Sequence, residues 1–108
     1  TTFTDGRTAD GQSGQGCSLG DSVAAGNCRG ASNEAEFGRQ RAKIVEAMAA
    51  IDADVLGLIE IQNNGLVAAQ NLVDALIARV GSAAYAVVPD PATGTGSDAI
   101  KLALIYQP

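Results

Sequence analysis

The stretch Val55-Leu56-Gly57-Leu58-Ile59-Glu60-Ile61 decides how the rest of the chain is read. Apolar side chains occupy both of its alternating faces. A short run of that kind predicts a central strand covered on both sides. The one charged residue, Glu60, stands near the C-terminal end of this strand. The polar segment Gln62-Asn63-Asn64-Gly65 follows it as a loop.

Helices flank the strand. Upstream, Asn33 has the character of an N-cap, and Glu36 three residues on completes a capping box. Phe37, Ile44, Val45, Met48 and Ile51 then form one apolar stripe, with Arg39, Arg41, Lys43 and Glu46 off it. Asp52-Ala53-Asp54 ends the pattern. Downstream, Leu66, Ala69, Val73, Leu76, Ile77 and Val80 recur at three- and four-residue steps, and Gly81 is placed to end a second helix. Ala84–Val88 reads as a short strand stopped by Pro89. Residues 89–98 are a Pro/Gly/Thr loop. Ala99–Tyr106 is a third strand, apolar on both faces apart from Lys101. Residues 32–108 thus run helix, strand, helix, strand, strand, which predicts helices layered on a sheet. Three strands leave two open edges and a bare face. The last strand also ends two residues before Pro108. Both features point to further structure of the same domain beyond this segment.

Residues 1–31 have a different character. Seven of the 13 glycines fall there, and only Phe3, Leu19 and Val23 are large and apolar. This is a loop that lies on a core rather than building one. Cys17 and Cys28 are the only cysteines. Two residues are too few for a zinc site, and a disulfide is favoured over a pair of free thiols. A disulfide implies an oxidising compartment, hence a secreted or periplasmic protein. The chain begins at Thr1 and has its one methionine at Met48, as expected of a processed or excised segment.

Composition narrows the chemistry. The 108 residues suffice for one small domain, and a hydrophobic fraction of 46% supports a core. No apolar run approaches the roughly 20 residues of a membrane span. The net charge is −5, a poor balance for gripping phosphate unless a cation screens the site. There is no histidine, so the commonest general base is missing. Glu60 is the sharpest candidate, because ligands gather at strand ends in open α/β sheets. A carboxylate buried there needs a partner, either a hard cation or an arginine, unless it is a solvated strand end. Asp98 and Lys101 flank the third strand and read equally as an exposed loop end. Arg39, Arg41 and Lys43 form a basic patch that reads as a solvated helix face, with a DNA contact as the alternative. Gly20-Asp21-Ser22-Val23 has the look of a GDSL esterase block, but that chemistry needs a preceding strand and a histidine.

Three blocks carry a resemblance: Cys28-Arg29-Gly30-Ala31-Ser32-Asn33, Arg39-Gln40-Arg41-Ala42-Lys43-Ile44-Val45, and Asp52 through Gly65. Gly96-Ser97-Asp98-Ala99-Ile100-Lys101 with Leu104–Pro108 adds a fourth. Together they resemble secreted bacterial nucleases of the endonuclease/exonuclease/phosphatase superfamily, the pancreatic-deoxyribonuclease-like enzymes. The resemblance implies an α+β fold, here part of a four-layer α/β/β/α sandwich, with residues 1–108 as one partial domain. It implies metal-dependent hydrolysis of DNA, and of RNA in some cases, with Glu60 as catalytic metal ligand. The metal would be Mg²⁺ first, with Mn²⁺ or Ca²⁺ as alternatives. Asp98 stands where relatives place a residue that supports a catalytic histidine. Gln62 takes the place of an arginine that contacts DNA in some members. Gln62, Asn63, Asn64 and Lys101 would form the substrate rim. A first strand with its asparagine should precede Thr1, and the histidines and further acidic residues should follow Pro108. The partners implied are DNA and the remainder of the domain, with no membrane. The 108-residue segment alone is expected to be inactive. A phosphatase or lipid phosphodiesterase of the same fold is the alternative activity, and a non-catalytic secreted binding domain the alternative class.

Overall fold

A computed structural model describes residues 16–81 and 85–108, and the architecture is mixed α+β. In chain order the elements are β1 (Cys17–Leu19), β2 (Ser22–Ala24), a 3₁₀ turn (Ala25–Asn27), α1 (Glu34–Ile51), β3 (Val55–Gln62), α2 (Val67–Val80), β4 (Ala86–Val87) and β5 (Ile100–Tyr106). β1 and β2 form a small hairpin. The main sheet has three strands in the order β3-β5-β4, and every pairing is antiparallel.

The helix boundaries follow from local chemistry. Asn33 Oδ1 accepts from the Glu36 N–H at 2.9 Å, and Glu36 Oε2 accepts from the Ser32 N–H at 2.8 Å. This is a capping box with its return bond displaced by one residue, and it satisfies N–H groups at a helix start. α1 ends on Asp52, whose φ of 48° is left-handed and whose N–H reaches Met48 O. α2 has no side-chain cap at Leu66. Asn64 Oδ1 serves instead, accepting from the Ala68 N–H at 3.1 Å. Gly81 closes α2 at φ 79°, a conformation that glycine adopts without penalty.

The core lies between the two helices and one face of the sheet. Val45 and Met48 of α1, Leu72, Val73 and Leu76 of α2, Tyr85 and Ile105 form its centre, and Leu56, Leu58, Ile61 and Val87 pack against it. Polar contacts fix its borders. Arg79 pairs with Glu46 between the helices. Gln107 Nε2 donates to Asp52 Oδ1, Ala53 O and Tyr85 Oη at 2.9–3.1 Å, tying the chain after β5 to the α1–β3 connection.

Several expectations are corrected. β3 is not a central strand covered on both sides: it is an edge strand paired only with β5 among the described residues. Both helices pack on the same face of the sheet, so among the described residues nothing covers the opposite face. Val55, Ile59, Val88, Leu102, Leu104 and Tyr106 are exposed, and several of them line an apolar hollow of about 580 Å³. The apolar stripe of α1 is narrower than its periodicity implied. Val45 and Met48 are buried, but Ile44 and Ile51 are exposed because α2 covers only one side of the helix. α2 buries Ala68 and Leu72 in addition to Ala69, Val73 and Leu76, while Leu66 and Val80 lie at its exposed ends. The loop expected over 1–31 contains the β1–β2 hairpin in its described part, turning at Gly20 (φ 61°) and Asp21. Gly20-Asp21-Ser22-Val23 is therefore a hairpin turn at Gly20-Asp21 running into β2, and the positive φ at the turn favours glycine. Residues 1–15, and Ala84 of the short strand expected over 84–88, lie outside the described residues.

Candidate functional site

Glu60 owes its position to a β-bulge. Leu58 pairs with Ala103 and Ile61 with Lys101, so Ile59 and Glu60 together face the single residue Leu102. Strict alternation from Leu56 and Leu58 would put residue 60 in the core row and Ile61 outside. The extra residue reverses this: Ile61 packs against the core, and Ile59 and Glu60 are exposed. The expected buried carboxylate is therefore a solvated one. The parallel-sheet rule that pointed to it also does not apply, because this sheet is antiparallel. Glu60 has φ 55°. The left-handed region costs a residue with a Cβ roughly 1–2 kcal/mol, and glutamate, unlike asparagine or aspartate, lacks a short side chain suited to relieving it.

Glu60 lines a cleft of about 140 Å³ between the bulge, the start of α1 and α2. Arg29, Phe37, Gln40, Arg41, Gln62 and Leu72 share it. Arg41 is preset: Nη1 donates to Asn71 Oδ1 at 2.9 Å, and the guanidinium lies 5.0 Å from the Phe37 ring centroid. Arg29 follows the disulfide cysteine Cys28, and its Nη1 lies 3.7 Å from Asp98 Oδ1 in an exposed pair. Arg29 thus touches the surroundings of both Glu60 and Asp98. A carboxylate and two guanidiniums lining one cleft suit a ligand that offers both anionic oxygen and a cation.

The other candidates take scaffold positions. The Cys17–Cys28 disulfide is present, with Cα atoms 5.0 Å apart, and it packs on Ala99. Gln62 Nε2 donates to Cys17 Sγ at 3.2 Å, so this side chain contacts the disulfide as well as the cleft. Asn63 holds the loop before β5: Nδ2 donates to Gly96 O and Asp98 O, both at 3.0 Å, and Oδ1 accepts from Thr95 Oγ1 at 2.7 Å. Asn64 caps α2. Asp98 Oδ1 accepts from the Ala99 N–H at 2.6 Å and is otherwise exposed. Lys101 is not an exposed loop end. Its ammonium is buried, donating to Asp90 Oδ1 at 2.6 Å and Gly65 O at 2.7 Å. The segment 62–65 is thus tied to the disulfide, β5 and α2 rather than forming an open rim.

Sequence reasoning missed Arg29 and did not single out Arg41 from the basic patch it shares with Arg39 and Lys43. Arg29 and Arg41 lie 12 positions apart, and Arg41 read as part of a solvated helix face. The available signal was Phe37, four residues before Arg41 and so on the same side of the helix. Among the described residues, no group of three or more histidine, cysteine, aspartate or glutamate side chains is arranged to hold a metal ion. No described helix is long and apolar enough to cross a membrane. Comparison with protein-family models, curated proteins and solved structures found no match to the chain.

Proposed function

We propose that this chain forms part of a metal-dependent phosphodiesterase of the deoxyribonuclease-like superfamily, acting on DNA outside the cell. The observation that carries the reading is the backbone of Glu60. A glutamate held at left-handed φ in a bulge, opening on a cleft with two arginines, gives up stability at a place where glycine would not. Strain of this kind concentrates at functional sites. The sequence blocks around Glu60 supply the identity of the chemistry, and the disulfide is consistent with an oxidising compartment.

Glu60 fits one part of a metal site. Mg²⁺ keeps several waters and takes one or two carboxylates together with substrate phosphate. A single exposed carboxylate suits that mode and holds the ion weakly on its own. When bound, the ion would neutralise charge on a phosphoryl oxygen and lower the pKa of water. The chain itself contributes the carboxylate oxygen, set by the bulge, and the scaffold that keeps segment 62–65 beside it. The bare apolar face of β3 and β5 has the character of a buried layer, and the second sheet of an α/β/β/α sandwich would lie there. The 108-residue chain, with no histidine and one metal carboxylate, would not cleave DNA by itself.

The test uses Mn²⁺ as a paramagnetic probe of the chain. Added Mn²⁺ should broaden the amide resonances of Ile61 and Gln62 first, and Glu60→Gln should abolish this. Glu60→Gly should abolish it too, while stability stays within about 1 kcal/mol of the parent, since relief of left-handed strain offsets the entropy of glycine. Broadening that survives both substitutions, or that centres elsewhere, removes Glu60 as the ligand. Nicking of supercoiled plasmid by the 108-residue chain in Mg²⁺, dependent on Glu60, would show that the catalytic set is misplaced.

A further inference from the structure

The cations among the described residues are unevenly committed. Arg79 is tied to Glu46, and Lys101 is buried against Asp90. Arg29, Arg39, Arg41 and Lys43 all lie on α1 or the loop before it, and two of them, Arg29 and Arg41, line the cleft of Glu60. Arg41 differs from a solvated cation, and Arg29 is exposed but held by its backbone. Arg41 is half-buried, bonded to Asn71 and placed over Phe37, so its planar fork is oriented before any ligand arrives. Asn71 engages one terminal nitrogen of a group that carries five N–H donors. Arg29 is anchored through its neighbour Cys28, which the disulfide holds to β1. Its contact to Asp98 is long and exposed, and an incoming anion can take its place.

We propose that Arg29 and Arg41 form the seat of a phosphodiester group of a nucleic-acid strand, in the cleft beside Glu60. The identity of the anion rests on the phosphodiesterase reading; the seat rests on the guanidinium geometry. Preset guanidinium forks match phosphate oxygens through paired, charge-assisted hydrogen bonds. The need for such a seat follows from net charge. At −5 the chain as a whole repels a polyanion, so binding must come from a local concentration of donors. Gln40, also in the cleft, adds an amide N–H donor. Glu60 on the same wall opposes the anion until a divalent cation joins it, so cation and phosphodiester should bind cooperatively.

The test is a titration of the chain with a dinucleoside monophosphate, which carries one phosphodiester, in EDTA at low salt. The side-chain Nε–Hε resonances of arginine report it. Those of Arg41 and Arg29 should shift saturably. Arg41→Gln should weaken binding about tenfold or more, as expected for lost hydrogen bonds to a charged group. Arg41→Lys keeps the charge, loses the fork and should also weaken it. Arg29→Gln, at an exposed position where folding is not at risk, should weaken it several-fold. Glu60→Gln should tighten it, because the variant removes a negative charge from the cleft wall. Unchanged affinity in Arg29→Gln and in the folded Arg41 variants, or shifts confined to Arg39 and Lys43, overturns the seat. Loss of the Mn²⁺ effect at Glu60 with the titration intact would remove the metal and leave the seat. An intact Mn²⁺ effect with no arginine dependence would do the reverse.

Discussion

The two faces of the three-stranded sheet are made of the same kinds of residue and have opposite fates. On one, Ile105 is fully buried under Val73 and Leu76 of α2. On the other, Leu102 and Leu104, which precede it along β5, are 72% and 46% exposed. Alternation along the strand builds both faces, and nothing in side-chain chemistry separates them. What differs is cover. A strand that is apolar all round therefore reports that two layers are called for, without reporting that both are at hand. The bare face exceeds the scattered single exposures that ordinary surfaces carry, since its residues are contiguous across β3 and β5.

The largest effect should come from setting the faces against each other. Ile105→Ala should cost about 2–5 kcal/mol in denaturant melts, the range for truncating a buried aliphatic. Leu102→Ala should cost less than about 1 kcal/mol at low concentration, as at exposed positions. Equal costs would mean that the bare face is covered in solution, and a concentration-dependent melting temperature would identify a second copy as the cover. An intermediate effect belongs to the disulfide. The Cys17→Ser/Cys28→Ser double variant should lose roughly 2–3 kcal/mol through the freed loop. It should also lose the order of the Gln62 and Ala99 resonances, since both side chains rest on that bridge. Unchanged resonances there would place the hairpin outside the cooperative unit.

The smallest effect is electrostatic and lies at the start of α1. The Ser32 N–H donated to Glu36 holds this carboxyl below the ordinary glutamate value, with Arg39 and Gln40 assisting. A carboxylate with a depressed folded value adds stability above its unfolded pKa and loses it as pH falls through the lowered one. Glu36→Gln should therefore lower stability slightly at neutral pH and converge with the parent in acid, which flattens the acid limb. A variant profile that parallels the parent below pH 4.5 would remove this cap from the account.

Much of the covered half was legible in the residues. Asn33 with Glu36, Asp52 after Ile51, and Gly81 after Val80 mark helix ends through backbone chemistry that depends only on near neighbours. The pairing of Cys17 with Cys28 needed no geometry, because no other cysteine competes. Strand order and the antiparallel pairing of β3 with β5 were not legible, since they are set by long-range packing. The bulge was hidden for a different reason: position 60 is left-handed yet carries neither glycine nor asparagine, the residues that advertise such a backbone. Asn63 and Asn64 looked like a polar rim because amides serve a ligand and a carbonyl equally well. The convergence of Arg29 and Arg41 on the cleft depends on how the disulfide-bound loop meets α1, which no local pattern encodes.

The extra residue at 59–60 also divides β3 into two frames. Before it, even-numbered positions face the helices; after it, odd-numbered Ile61 does. A descendant that lost one residue here would keep a continuous strand but carry everything after it one step out of phase. Ile61 would leave the core, and Gln62, Asn63 and Asn64 would each miss the disulfide, the 94–98 loop or α2 by one position. Length is ordinarily free to drift where a chain is exposed to water. At this exposed point it is fixed, and what inheritance must preserve is the count of residues, independently of which side chain stands at 60.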